Sequence, residues 1–556
     1  MLVKFYFSVC LVFALLASCV DQSDISDKTV FHYNQLSGIT SLDPAFAKDQ
    51  ANIWAVNQIF NGLVQFNDSL EVLPCIAKKW EIKDAGHTYI FYLRNDVFFH
   101  DHELFKEGKG KKVTAHDFVY SFNRIISPKV ASPGAWIFND KVVLSENRIA
   151  SPWGGVRHAV PFEAINDTTF KINLTKPFPP LMGLLCMQYC SVVPFEVVEQ
   201  FDKEFRNLPI GTGPFKFDIW RENVCLILKK NENYFEFDGK NKLPYLDAVQ
   251  ISFIPDKQSA YFEFLKGNID FFSGIDLSYK DELFTKLGTL RPKYKEKFKI
   301  STHSYLNTEY LGILVDPDNE IVKKSPLRLK KIRQAINYAI DRKKMMTYLR
   351  NNIGYPANAG FVPRGIPAFS DTEVKGYEFA PDTALKLLRG AGFPEGKGLP
   401  EITLYTNKTY LDLCEFIDSQ LDQVGIKVNL DVMPPATLRN ARDKSKLEFF
   451  RSSWIADYAD AENFLALFYS KNHTPNGPNF THFSNEEFDS LYVLSIAEVD
   501  EQKRYEYYHK MDQIIVDEAP VVVLYYDKVV RLSHHNVSGL GNNAMNLLTL
   551  KRVKVN

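Results

Sequence analysis

Between Leu413 and Val432 the apolar spacing changes period within a few residues, and no other stretch narrows the possible architectures as far. Leu413, Phe416, Ile417, Leu421 and Val424 recur at the three-and-four spacing of one helix face. Gly425 stands where a helix terminator belongs. Ile426, Val428, Leu430 and Val432 then alternate with Lys427, Asn429 and Asp431, the two-residue period of a half-buried strand. A helix that feeds directly into a strand predicts α/β layers. A second helix is predicted on the stripe Leu329, Ile332, Ile336, Ala339 and Ile340, with Lys330, Lys331, Arg333 and Arg342 on its other faces. Pro381 opens a third, which carries Ala384, Leu385, Leu387 and Leu388 and closes at Gly390 or Gly392.

The first half is richer in strand-like runs, at residues 89–93, 169–174 and 224–229. Near the end a polar helix over 500–518 meets Pro520 and an apolar strand over 521–526. The remaining tail is too short to be a domain, and 556 residues exceed what one core usually supports. Two lobes with chain crossings near residues 300 and 524 are the economical arrangement, and such crossings make a hinge.

The N-terminus sets the compartment. Lys4 precedes an apolar stretch over 5–17 that ends in Leu16-Ala17-Ser18-Cys19. A basic start, a short apolar run and small residues before a cleavage point predict a secretory signal. The run falls short of the roughly 17 to 25 residues of a membrane-spanning helix. Leu-Ala-Ser-Cys resembles a bacterial lipobox, which implies that Cys19 is acylated and tethers the mature chain to a membrane. The polar, acidic stretch 20–28 suits a spacer.

Taking Lys4 away from 66 basic residues leaves 65 against 67 acidic ones, so charge makes no case for nucleic acid. Beyond Cys19 there are five cysteines, Cys75, Cys186, Cys190, Cys225 and Cys414, at spacings unlike a zinc site. Cys186 and Cys190 read as small core residues, with a bond between them as the alternative. His100 and His102 share a face of a strand but lack a third ligand, so no metal or other cofactor is expected. No Gly-x-Ser-x-Gly elbow, His-Glu-x-x-His helix or Walker loop is present, so an enzyme is not expected.

An ordered set of local patterns carries a resemblance. It runs through Leu42-Asp43-Pro44-Ala45, then Ile59-Phe60-Asn61-Gly62-Leu63-Val64, then Pro74 to Trp80. Thr88-Tyr89-Ile90-Phe91-Tyr92-Leu93-Arg94, Val97-Phe98-Phe99-His100-Asp101 and Val113-Thr114-Ala115-His116-Asp117-Phe118 follow. Gly211-Thr212-Gly213-Pro214-Phe215, Leu265-Lys266-Gly267-Asn268-Ile269-Asp270, Ile332-Arg333-Gln334-Ala335-Ile336 and Ala339-Ile340-Asp341-Arg342 complete it. In this order they resemble the extracytoplasmic solute-binding proteins of the dipeptide and oligopeptide ABC importers, the bacterial family 5. His102 in place of a usual Gly, and the insertion-like run 107–112, depart from that pattern.

The resemblance implies the two-lobed periplasmic-binding-protein fold of type II in its large three-subdomain form, with a ligand cleft between the lobes. Residues 1–18 would be a lipoprotein signal peptide, 19–300 the first lobe with 62–188 as an additional subdomain, 301–524 the second lobe, and 525–556 the return to the first. It also implies a monomer that is exported and anchored at the cell envelope and delivers small peptides to permease and ATPase subunits. The same scaffold serves metal chelates, haem, murein peptides and sugars, so these remain alternatives.

Site residues follow by matching. Ser453-Trp454-Ile455-Ala456-Asp457-Tyr458 matches the family segment whose Asp accepts the peptide ammonium, which makes Asp457 the leading candidate and Asp460 the fallback. Arg451 and Arg442 match arginines that hold the peptide carboxylate, for which a planar fork is suited. Ser453, Trp454, Ile455 and Tyr458 would supply wall and backbone contacts, and Ser41 and Leu42 the contacts of the first lobe. Strand alternation puts Arg451 and Trp454 on opposite faces, so a bulge or bend is required if both line the cleft.

Overall fold

Eleven strands join in one sheet, and two of them are long enough to serve both lobes. In the computed structural model, which describes residues 29–143, 148–150, 156–158, 160–274 and 279–556, the strands are as follows. They are β1 (Val30–Asn34), β2 (Phe215–Arg221), β3 (Cys225–Lys230), β4 (Ala248–Ser252), β5 (Phe271–Ser273), β6 (Phe298–Ile313), β7 (Tyr355–Pro356), β8 (Ile402–Thr406), β9 (Val428–Val432), β10 (Phe449–Ile455) and β11 (Val521–His534). Their order is β2-β3-β4-β1-β5-β11-β6-β10-β8-β9, with β7 paired to β11. The expected signal peptide of residues 1–18 and the lipidation site Cys19 lie outside the described residues.

The first-lobe strands thus stand on one side of β11 and the second-lobe strands on the other side of β6. Between these two the register breaks: Ser304 faces Lys528 and Thr308 faces Tyr526, so Tyr305, Leu306 and Asn307 stand opposite the single residue Asp527. Such a bulge locally frees the ladder and twists it. Strand β11 runs on to His534, well past the apolar run that ends at Tyr526. Asp527 and Lys528 interrupt the hydrophobic pattern where the strand leaves the second lobe, and Val529, Val530 and Leu532 resume it in the first.

The three predicted stripes and the polar run near the end each form a helix. Helices among the described residues include α1 (Gln50–Ile59), α2 (Ala115–Ile126), α3 (Lys330–Ala339), α4 (Arg342–Arg350), α5 (Pro381–Gly390), α6 (Leu411–Asp422) and α7 (Glu501–Glu518). Pro381 occupies the first turn of α5, and Gly425, at φ +85°, makes the left-handed turn that ends the α6 segment. Ile426 is buried below that turn, its N–H bonded to Leu421, and the strand itself starts at Val428. Leu413, Ile417 and Leu421 pack with Ile332, Ile336, Leu404 and Phe449 in the second-lobe core.

A smaller antiparallel sheet, in the order Ala77–Lys83, Thr88–Leu93, Thr169–Asn173 and Phe162–Asn166, belongs to the first-lobe side. Helix α2 covers it, with the Phe118 and Phe122 rings 5.7 and 5.4 Å from that of Phe170. The same helix supplies Arg124, whose fork holds the Asp43 carboxylate at 2.9 and 2.5 Å. Asp43 also caps the turn Pro44–Phe46 through the Ala45 N–H. The Leu-Asp-Pro pattern therefore ties the body of the first lobe to its additional sheet.

His100 has a similar duty. Its Nε2–H donates to the Gly213 carbonyl at 3.1 Å, and its Nδ1 faces the Gly211 N–H at 3.4 Å. Burial holds the imidazole down at about 4, so the ring stays neutral. The turn it pins must lack side chains, because a Cβ at Gly211 would stand 2.0 Å from the Ile59 carbonyl oxygen. His102 packs edge-on against Phe105 and Phe201. Among the described residues no group of His, Cys, Asp or Glu is placed to hold a metal.

All five cysteines beyond Cys19 are free. The Cys186 and Cys190 thiols point to separate carbonyls, those of Met182 and Leu184. The tail beyond β11 lies on the first lobe, where Trp54 donates to the Asn546 carbonyl at 2.8 Å and Gln58 bonds Leu548 and Leu550. No helix among the described residues is long and apolar enough to cross a membrane.

Candidate functional site

A cavity of about 450 Å³ opens at the hinge, within the range of small-ligand sites. The first lobe supplies residues 34–37, Asp49 and Trp54 from the start of α1, and Ser273 and Gly274 from the end of β5. The crossing strands supply Tyr305 and residues 527–530, and the second lobe supplies Arg350 and Ile353 from the end of α4. Asp49 caps α1, accepting from the Asn52 N–H and side-chain amide at 3.1 Å.

The second-lobe sheet leaves an edge open. Strand β10 pairs with β6 along its whole length, from Phe449 to Ile455. On its other side β8 reaches only Phe449 and Phe450. The Ala456 N–H turns toward β6, bonding Leu306 at 2.8 Å. By strand alternation the backbone groups of Ser453 and Ile455 therefore point to the open edge. Ile455 is 51% exposed there. An unpaired edge of this kind is a template for an added strand.

Asp457 stands just past the end of that edge. Its N–H donates to Asn463 Oδ1, which also accepts from the Trp454 indole at 2.9 Å. The Asp457 side chain reaches solvent, yet surrounding protein raises its carboxyl above the ordinary range, against the hydrogen bond from Asn463. Among the described residues no cation lies within ion-pair distance of it. Burial raises the Tyr189 phenol, with smaller contributions in the same direction from the Asp457 and Asp49 carboxylates. Across β6, near Tyr305, lies Lys528, whose ammonium rests 3.9 Å from the Tyr355 ring centroid. It too lacks an ion-pair partner among the described residues. Backbones that flank one strand on its two sides lie about 10 Å apart.

Other expected residues are placed differently. Strand β10 carries no bulge, so Arg451 and Trp454 face opposite ways. Arg451 is buried in an ion pair with Glu309 of β6 and lies 3.1 Å over the Tyr410 ring. Trp454 packs into the second-lobe core instead of standing as a free wall. Arg442 is held by Asp443 and by Ser452 Oγ at 3.0 Å, and covers the Phe480 ring. Neither arginine offers an unpaired fork.

Asp460 is withdrawn as well, accepting from the Tyr508 hydroxyl at 2.8 Å and from the Glu462 N–H. Tyr458 is buried: its hydroxyl donates to Glu462, and its ring meets Trp136 of the first lobe at 5.8 Å, so the lobes touch there. On the first lobe, Leu42 is wholly buried and its N–H is bonded to Arg206, while Ser41 Oγ accepts from the Asp43 N–H. Their side chains serve the fold around Asp43, not the cavity. The sequence reading also missed Arg350 and Lys528, which lie in no matched motif. The one available hint for Lys528 was its place in the polar break of an apolar strand.

Comparison with known proteins agrees with this architecture. Residues 71–476 match the profile of the bacterial extracellular solute-binding proteins, family 5 Middle. The dipeptide-binding protein DppE of Bacillus subtilis is 25% identical over 549 residues, covering 96% of this chain and 93% of its own. The heme-binding protein A of Haemophilus influenzae is 27% identical over 478 residues, covering 83% and 80%. The solved structure of HbpA2 from Haemophilus parasuis superimposes with a TM-score of 0.80 at 22% identity, over 95% of this chain and all of the other (100%). The chain belongs to the bacterial extracellular solute-binding proteins of family 5.

Proposed function

We propose that this protein is the substrate-binding component of an ABC importer, and that it captures short peptides in the interlobe cleft and hands them to a membrane permease. The observation that carries the reading is the open edge of β10, which ends at an unpaired carboxylate, Asp457. A peptide main chain would add to the edge at Ser453 and Ile455, and its ammonium would meet Asp457. Lys528, Arg350 and Lys280 line the cavity; Arg350 is shared with Asp527 and Lys280 with Asp281, so among the described residues Lys528 is the unpaired cation that meets a ligand carboxylate, with Arg350 beside Asp527 as a shared one.

The DppE relative, named for dipeptide binding, supports a peptide ligand. The heme-binding relative favours a second reading, a non-peptide solute on the same scaffold. Tethering through Cys19 rests on the N-terminal pattern, and a monomer working with permease and ATPase subunits is what the family resemblance implies.

Native mass spectrometry of freshly purified protein, followed by calorimetry with tri-alanine and its end-blocked forms, tests the proposal. Co-purifying peptides, and tighter binding of the free zwitterion, are expected. A bound haem or sugar, with no affinity for peptides, would overturn it.

A further inference from the structure

Behind Arg350, buried charges form a continuous chain through the hinge. Arg350 pairs with Asp527 at 2.9 Å and donates to the Tyr525 hydroxyl at 2.9 Å. That hydroxyl lies 3.4 Å from Glu309 Oε2, and the other Glu309 oxygen pairs with Arg451. Asn307, inside the hinge bulge, donates to Asp527 at 3.3 Å. Two guanidinium groups are thus balanced by two carboxylates. Only the Arg350–Asp527 end of this chain touches the cavity.

We infer that Glu309 sets the charge preference of the hinge cavity: an anionic ligand end that meets Arg350 is accommodated by a proton taken up from solvent on Glu309. The inference rests on the reading of this cavity as the ligand site. With both carboxylates ionised these four charges cancel, so an anion that meets Arg350 adds negative potential at Glu309, and a proton there offsets it together with the cation Lys528 on the cavity wall.

The groups that face Glu309 allow this. Arg451 comes from β10, Tyr525 and Asp527 from β11, Arg350 from α4, and Cys414 from α6, with Tyr410 beyond Arg451 and Tyr310 next in the chain. Burial pushes the Glu309 carboxyl up to about 7, helped by Asp527 and opposed by Arg451 and Arg350. Its side chain is 2% exposed, so water cannot offset that potential. Asp527, which faces Arg350 directly, is more exposed at 19%.

Infrared difference spectroscopy between pH 6 and 8 reads the carboxylic-acid stretch of Glu309, assigned by its loss in Glu309→Gln. Sodium acetate at high concentration and tri-alanine should each strengthen that band in the wild type, and tri-alanine amide should not. Arg350→Gln should abolish the response to acetate, which keeps the test open if Glu309→Gln does not fold. Affinity for the free carboxylate should fall up to about tenfold per pH unit above neutrality. A band unchanged by both carboxylates, or one that persists in Glu309→Gln, would overturn the inference. A response to acetate without any binding of tri-alanine would uphold it and sink the peptide reading instead.

Discussion

Replacing Asp457 by Asn removes one charge at the end of the β10 edge and keeps the shape of the side chain. Among the described residues this carboxylate has one side-chain hydrogen-bond partner, Asn463, and no cation within ion-pair distance. An ammonium docked about 4 Å away would gain about 4 kcal/mol at an effective dielectric constant of 20. Desolvation of both groups takes back a part, leaving about 2 to 4 kcal/mol, or a loss of about 30- to 1,000-fold in Kd. Calorimetry with tri-alanine and N-acetyl-tri-alanine on both proteins is the assay. The free peptide should lose this factor, while the acetylated one should bind both proteins equally and weakly. Thermal stability should not fall, because an unpaired carboxylate raised by burial is a cost to folding at neutral pH. An equal loss for both peptides would show that Asp457 shapes the cleft without pairing to an amine, and would refute the reasoning.

Other consequences are open to measurement. His100 is held at about 4 against an unfolded value near 6.5, so the unfolded chain takes the proton first as pH falls. Its contribution, about 3 kcal/mol, should be intact above pH 6.5 and lost by pH 4; urea titrations of wild type and His100→Gln isolate it, since Glu309 and Asp512 act with the opposite sign. A Cβ at Gly213 would stand 2.4 Å from the Ile59 carbonyl carbon, so Gly213→Ala should cost about 1 to 3 kcal/mol in denaturant unfolding and loosen the end of α1. Arg124→Met leaves the Asp43 carboxylate buried and unpaired and should cost about 3 to 5 kcal/mol, part of it recovered in the double variant with Asp43→Asn, as followed by calorimetric melting.

Local period carried most of the architecture. The stripes around Ile332, Leu385 and Ile417 each became a helix within a residue or two of expectation, because each buries one face against the shared core. The site was legible where it is local: Ser453, Ile455 and Asp457 follow one another along a strand and just past its end. It was illegible where charge balance decides. Arg451 looks like a free fork in sequence, but its counterion Glu309 stands 142 residues earlier and meets it only through strand pairing. Likewise the pairing of Arg350 with Asp527, 177 residues apart, leaves no local trace. Leu42 and Ser41 were drawn into the site by a motif whose physical purpose is the Asp43–Arg124 tie.

The position of β11 at the centre of the sheet, although it is almost the last strand in the chain, bears on synthesis. Both lobes wait for it: β5 on one side and β6 on the other each need it as a partner. A chain cut anywhere before Val521 lacks the middle of its sheet, however complete its helices are. The whole sheet can therefore close only after more than nine-tenths of the polypeptide has been made. The keystone of the sheet is laid last.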